Sequence, residues 1–212
     1  MKGTNHIITN LSTVVVIDTV IRATSYFFNN SLYDTIWTTL NWRLFENGVI
    51  SMPHIVACVL TIYVNVMLFM IGSLLPDCDV KTSIAGRMLY IPVEHRTWTH
   101  TIWFVIAFGI MAISARCFFW LACGCLLHIF YDSLSKSGIC WFYPVSTYKN
   151  WTSGARVKKN HTIYLYRTGQ MSETILVIFV VLVGIMMLMY SVWLKMMYGG
   201  LPFHINLLFE TY

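Results

Sequence analysis

The sequence predicts an all-α fold, a polytopic membrane helical bundle of about five transmembrane helices. Three observations predict it. Hydrophobic residues make up 57% of the 212 residues, charged residues only 11%, and mean hydropathy is +0.64. Soluble domains carry roughly 25% charged residues, a surface that lipid would not tolerate. Several apolar runs reach the roughly 20 residues needed to cross a bilayer. The remaining ionisable residues gather in short clusters that abut those runs.

The spans follow in chain order, within a single integral membrane domain covering residues 1–212. Residues 8–28 are the first; they carry Asp18 and Arg22, four apart and so on one helical face, where an ion pair is the simple reading. Residues 54–75 are apolar almost throughout. Residues 101–134 break near Ser114-Ala115-Arg116 and read as a tight hairpin of spans 101–115 and 117–134. Residues 173–198 are the last. No short apolar stretch with a small-residue cleavage site follows Met1, so no removable signal peptide is expected.

Five spans put the start of the chain, the 76–100 loop and the 135–172 loop on one side, with the 29–53 loop, the 114–116 turn and the tail on the other. The first side holds ten Lys and Arg residues and the second three, Arg43, Arg116 and Lys195. Positive residues favour the cytoplasmic side, so the sequence predicts a multi-pass membrane protein with the richer side in the cytoplasm. The net charge of +5 is spread through these loops and is no nucleic-acid footprint. The cysteines, Cys58, Cys78, Cys117, Cys123, Cys125 and Cys140, form no C-x-x-C pair and read as buried free thiols.

The polar clusters carry the chemistry. Ionisable groups at membrane depth are costly, and their default reading is a functional site. His128 and Asp132 are four apart and share a helical face, a natural two-point grip on a divalent ion; the alternative is a hydrogen bond from His128 to a backbone carbonyl. Asp77 and Asp79 follow the 54–75 span directly, and two such carboxylates repel unless a cation lies between them; a capped turn after Pro76 is the alternative. His95 and His100 flank Arg96, whose planar cation suits a phosphate. His6 precedes the first apolar run, and Glu173 opens the last helix after a turn at Thr168-Gly169, where the helix dipole favours a carboxylate. Lys158, Lys159 and His161 read as a basic loop near anionic lipid. On this topology every cluster faces the positive side, so one site can draw on all of them.

Taken together these residues resemble the YdjM family. The resemblance rests on Leu74-Leu75-Pro76-Asp77-Cys78-Asp79, His95-Arg96 with Thr99-His100, His128 with Asp132, Gly138 ahead of Trp141-Phe142-Tyr143-Pro144, and Tyr166 through Glu173, in that order. It runs from about His6 to Glu173. Asn5 stands before His6 where the family has Thr, Thr97 stands where it has Gly, Tyr131 precedes Asp132 where it often has Leu, and Ser135 stands in for its Thr. The resemblance implies an inner-membrane, metal-dependent hydrolase, and it supplies no substrate.

The expectation is metal-assisted hydrolysis of a membrane lipid phosphoester at the cytoplasmic face. His6, Asp77, Asp79, His95, His100, His128 and Asp132 would hold one or two divalent ions, zinc or manganese, which activate a water. Arg96 would steady the phosphate, and Asp79 or Glu173 would act as base. Two rivals stand beside it: a cation transporter, which the lack of an inverted repeat disfavours, and a non-catalytic membrane protein whose loops a metal staples.

Overall fold

The structure is a computed structural model and describes residues 1, 3–27, 54–149, 156–158, 160 and 162–198. The 29–53 loop, the tail beyond Tyr198, and Lys2, Arg43, Lys159 and His161 lie outside the described residues. The helices are α1 (Gly3–Phe27), α2 (His54–Leu74), the short α3 (Ile84–Met88), α4 (Ile102–Ser114), α5 (Phe118–Ser133) and α6 (Met171–Tyr198). Among the described residues, two 3-10 turns, Leu75–Asp79 and Trp98–His100, complete the helical part. Strands β1 (Thr147–Lys149) and β2 (Arg156–Lys158) pair antiparallel, with Tyr148 opposite Val157.

Among the described residues, three helical stretches are long and apolar enough to cross a membrane: Gly3–Thr24, Leu60–Asp79 and Met171–Trp193. α6 exposes Ile175, Ile178, Phe179, Leu182, Ile185 and Met189, the lipid-facing surface its composition demands. The predicted spans 101–115 and 117–134 become helices of 13 and 16 residues. At 1.5 Å per residue these reach only about 20 and 24 Å, short of the roughly 30 Å hydrocarbon core. They form a hairpin, and the loop that follows it returns to the start of α4: the Ile102 N–H donates to the Trp141 carbonyl at 2.9 Å. α1 starts at Gly3, five residues before the predicted span, because Gly3-Thr4-Asn5-His6 is already helical. His6 therefore sits inside the helix and not ahead of it.

The chain divides into two compact units, Met1–Asn10 with Met67–Ile178, and Leu11–Val66 with Phe179–Tyr212. In the second, Arg22 Nη2 bonds Asp18 Oδ2 at 2.8 Å, the ion pair read from the i, i+4 spacing. The first contains every predicted site residue. There α2 and α5 approach through two glycines. A Cβ at Gly124 would stand 2.3 Å from the Phe69 carbonyl oxygen, and one at Gly72 would stand 2.2 Å from that of Leu121. No other residue permits such backbone proximity, the device of small-residue packing between membrane helices. Asn10 of α1 joins the contact, with its Nδ2 donating to Ser73 Oγ at 3.0 Å while the Ser73 hydroxyl donates to the Phe69 carbonyl at 2.9 Å.

Candidate metal centre

Pro76 ends α2, since a proline restrains the residue before it and supplies no N–H. The chain turns into the Leu75–Asp79 3-10 turn, which projects Asp77 and Asp79 at the end of a membrane-spanning helix. Ser83 holds the turn: its hydroxyl donates to the Asp77 carbonyl at 2.7 Å and accepts from the Gly86 N–H at 2.8 Å, capping α3. His100 ends the Trp98–His100 turn, while His128 and Asp132 occupy one face of α5 near its C-terminus. A carboxylate there is disfavoured by the helix dipole, so Asp132 depends on cationic partners.

These four residues converge. His100 Nε2 lies 3.6 Å from Asp77 Oδ1 and 3.5 Å from Asp132 Oδ2. His128 Nε2 lies 3.6 Å from the same Asp77 oxygen and 3.9 Å from the same Asp132 oxygen. One ligand atom from each residue falls within 4.8 Å of all the others. Both histidines are fully buried and Asp132 is 2% exposed, yet neither Nε2 has a hydrogen-bond partner. Leaving buried polar atoms unpaired is costly. Ligand atoms about 2.1 Å from a tetrahedral divalent ion stand about 3.4 Å apart, close to the His–Asp separations here. The orphaned nitrogens and two converging carboxylates fit a divalent ion.

The outer nitrogens are anchored. His128 Nδ1 donates to the Ser73 carbonyl at 2.7 Å, the backbone hydrogen bond that was the alternative to ligation in sequence. It occupies one ring nitrogen and turns the other inward. His100 Nδ1 lies 3.0 Å from Thr99 Oγ1, whose hydroxyl donates to Asp79 Oδ2 at 2.7 Å. Such outer contacts fix the tautomer of a metal-binding histidine. Burial pushes the His100 imidazole down, but the Asp132, Asp77 and Asp79 carboxylates outweigh it and raise it to about 10.

Asp79, His95 and His100 form a second possible ligand group. Its atoms are already engaged: His95 Nδ1 meets Asp79 Oδ1 at 2.8 Å, and the Arg96 N–H donates to Asp79 Oδ2 at 3.2 Å. His95 keeps 42% of its side chain exposed. Arg96 adopts φ 61°, a left-handed conformation uncommon outside glycine. Its Nη2 lies 3.4 Å from Asp132 Oδ2, and its Nη1 donates to the Gly138 carbonyl at 3.0 Å. It thus meets the buried carboxylate at the helix end.

His6 joins the cluster from α1. Its ring stacks on His128, centroids 3.7 Å apart, and its Nε2 lies 3.3 Å from Asp132 Oδ1 without hydrogen-bond alignment. The Met1 nitrogen is 2.9 Å from the same oxygen. Glu173 lies apart from both ligand groups. Its carboxylate accepts from Asn5 Nδ2 and from the Gly169 N–H, each at 2.6 Å, tying the start of α6 to α1. Sequence reading gave no role to Ser73 or to Thr99, which orient the two histidines. Thr99 carried a signal in its place beside His100, whereas the Ser73 contribution is a carbonyl, which no side-chain pattern reveals.

No curated protein matches the chain, and no solved structure does. Residues 36–198 match the family described as YdjM inner membrane protein. The match takes in Asp77, Asp79, His95, His100, His128, Asp132 and Glu173 and leaves His6 outside. It covers well over half of the chain and agrees with its membrane-length helices, and on that ground the chain belongs to the YdjM family of inner membrane proteins.

Proposed function

We propose that this chain is a metal-dependent hydrolase of phosphoesters, acting on a membrane lipid at the cytoplasmic face. The carrying observation is the pair of buried, unpartnered nitrogens, His100 Nε2 and His128 Nε2, each facing the Asp77 and Asp132 carboxylates. These four residues would hold one zinc or manganese ion. Such an ion polarises a phosphoryl oxygen and lowers the pKa of water to near neutrality.

The protein residues take distinct roles. Asp79 positions His100 through Thr99 and holds His95 by its Nδ1. His95, half-exposed beside the ligands, is the group best placed to accept or return a proton. Asp79 has both oxygens engaged by donors, which suits orientation better than proton transfer. Arg96 balances Asp132 and supplies the cation nearest an incoming phosphate. His6 packs His128 in place. Glu173, bound to Asn5 and Gly169, braces the α1–α6 junction. The bias of basic residues toward the loops bearing the clusters supports the cytoplasmic placement.

The test is phosphate release from a phospholipid monoester in detergent micelles, with zinc or manganese restored after chelation. Metal-dependent turnover that Asp132→Ala abolishes supports the hydrolase. The near-complete burial of His100, His128 and Asp132 favours one rival, a metal that only staples the loops. Bound metal, a fold that needs it, and no turnover on any phosphoester would establish that reading instead.

A further inference from the structure

Beyond the metal cluster, the same unit carries an open cavity of about 520 Å³ lined by Lys136, Tyr164, Leu165, Tyr166, Arg167, Gln170 and Ser172. Ligand pockets span roughly 300–1,000 Å³. We propose that this cavity binds the phosphate-bearing headgroup of an anionic phospholipid.

Charge comes first. Two cations, Lys136 and Arg167, line the cavity and no acidic residue does. Neither cation forms an ion pair among the described residues. Gln170 adds an amide donor. Ser172 Oγ accepts from the Arg167 N–H at 3.1 Å, which leaves its own hydrogen for a ligand. The walls are fixed by backbone pairing: the Lys136 N–H donates to the Tyr166 carbonyl at 2.8 Å, and the Leu165 N–H to the Leu134 carbonyl at 2.9 Å. Tyr164, on the cavity lip, adopts φ 57°, a strained conformation for a tyrosine and one that gathers at ligand-holding segments.

Position selects the lipid as the source of that phosphate. Gln170 and Ser172 sit at the start of α6, where a membrane-length stretch begins at Met171. Ile163, Tyr164, Leu165 and Met171, beside the cations, are 54–77% exposed. An apolar rim around paired cations at a helix's membrane entry suits an acyl chain below and an anionic headgroup above. The cavity also backs onto the metal cluster: Tyr166, on its wall, donates its hydroxyl to the Tyr131 carbonyl at 2.9 Å, one residue from Asp132. As a substrate class for the cluster the proposal rests on the hydrolase reading; as a binding site it does not.

The test is binding without turnover. The full chain in detergent is titrated with phosphatidylglycerol or phosphatidylcholine and retained lipid is read by native mass spectrometry. Phosphatidylglycerol is expected to bind in preference. The double variant Lys136→Ala, Arg167→Ala should weaken that binding about tenfold or more, as removal of two interfacial cations requires. The charge-conserving variant Lys136→Arg, Arg167→Lys should retain it, which guards against a folding defect. Inorganic phosphate at the same concentration should not displace the lipid. Equal binding of the two lipids, or an alanine variant that binds as wild type does, overturns the site. Displacement by inorganic phosphate assigns the cavity to a soluble phosphate and overturns the lipid. Lipid binding that survives while no phosphoester is cleaved contradicts only the hydrolase.

Discussion

His128 donates its Nδ1 hydrogen to the Ser73 carbonyl, 2.7 Å away, across the contact of α5 with α2. A carbonyl can only accept, so the proton sits on Nδ1 and the Nε2 lone pair faces Asp77 and Asp132. That bond exists because Gly72 and Gly124 let the two backbones meet.

The glycine contact is therefore the first thing to disturb. Gly124→Ala places a Cβ 2.3 Å from the Phe69 carbonyl oxygen and 2.7 Å from the Ser73 nitrogen. Overpacking of this kind costs about 1–3 kcal/mol, and backbone cannot swing aside as a side chain does. A lower unfolding temperature in detergent and weaker metal retention are expected. Gly109→Ala, where nothing lies within 4 Å, should leave both unchanged.

Asn10 and Ser73 form a second, polar link, with their hydrogen bond at 3.0 Å and both residues buried. A double-mutant cycle with Asn10→Ala and Ser73→Ala should give a coupling of about 0.6 kcal/mol, the usual size for side-chain bonds within membranes. Additive losses would mean that the bond contributes nothing to holding α1 against α2.

Thr99 relays between His100 and Asp79. Thr99→Val keeps the shape and removes both hydrogen bonds. Metal affinity is expected to fall about 10- to 100-fold, as for lost outer contacts elsewhere, and competition with a calibrated chelator measures it.

Ion binding should release a proton. With its imidazole raised to about 10, His100 is protonated at neutral pH in the ion-free protein. A ligand needs the Nε2 lone pair, so about one proton leaves per ion bound. Titration calorimetry in Tris and in PIPES should give heats that differ by the buffers' ionisation enthalpies. The same shift gives the ion-free protein a stabilisation that is full below the ordinary histidine value of 6.5 and is lost as pH rises through about 10.

Much of this was legible in the sequence. Low charge and long apolar runs give membrane helices, and the i, i+4 spacing of His128 and Asp132 gives a shared face. The hairpin was legible to within one residue at each end, since the predicted 101–115 and 117–134 are Ile102–Ser114 and Phe118–Ser133 in the structure. The division of labour among the polar residues was hidden. Asp77 and Asp79 look alike two residues apart, and only the turn separates a carboxylate facing His100 and His128 from one bound to His95, Arg96 and Thr99. Glu173 reads as a candidate base in sequence, and its partners are Asn5, far from it along the chain, and the Gly169 backbone N–H.

The most direct test is elemental analysis of the detergent-purified chain beside the double variant His128→Ala, Asp132→Ala. The wild type should carry about one equivalent of zinc or manganese, one ion for one four-ligand group, and the variant none. A folded, metal-free wild type, unchanged by chelator or added metal, would contradict that expectation and leave the His–Asp cluster as a polar network without an ion.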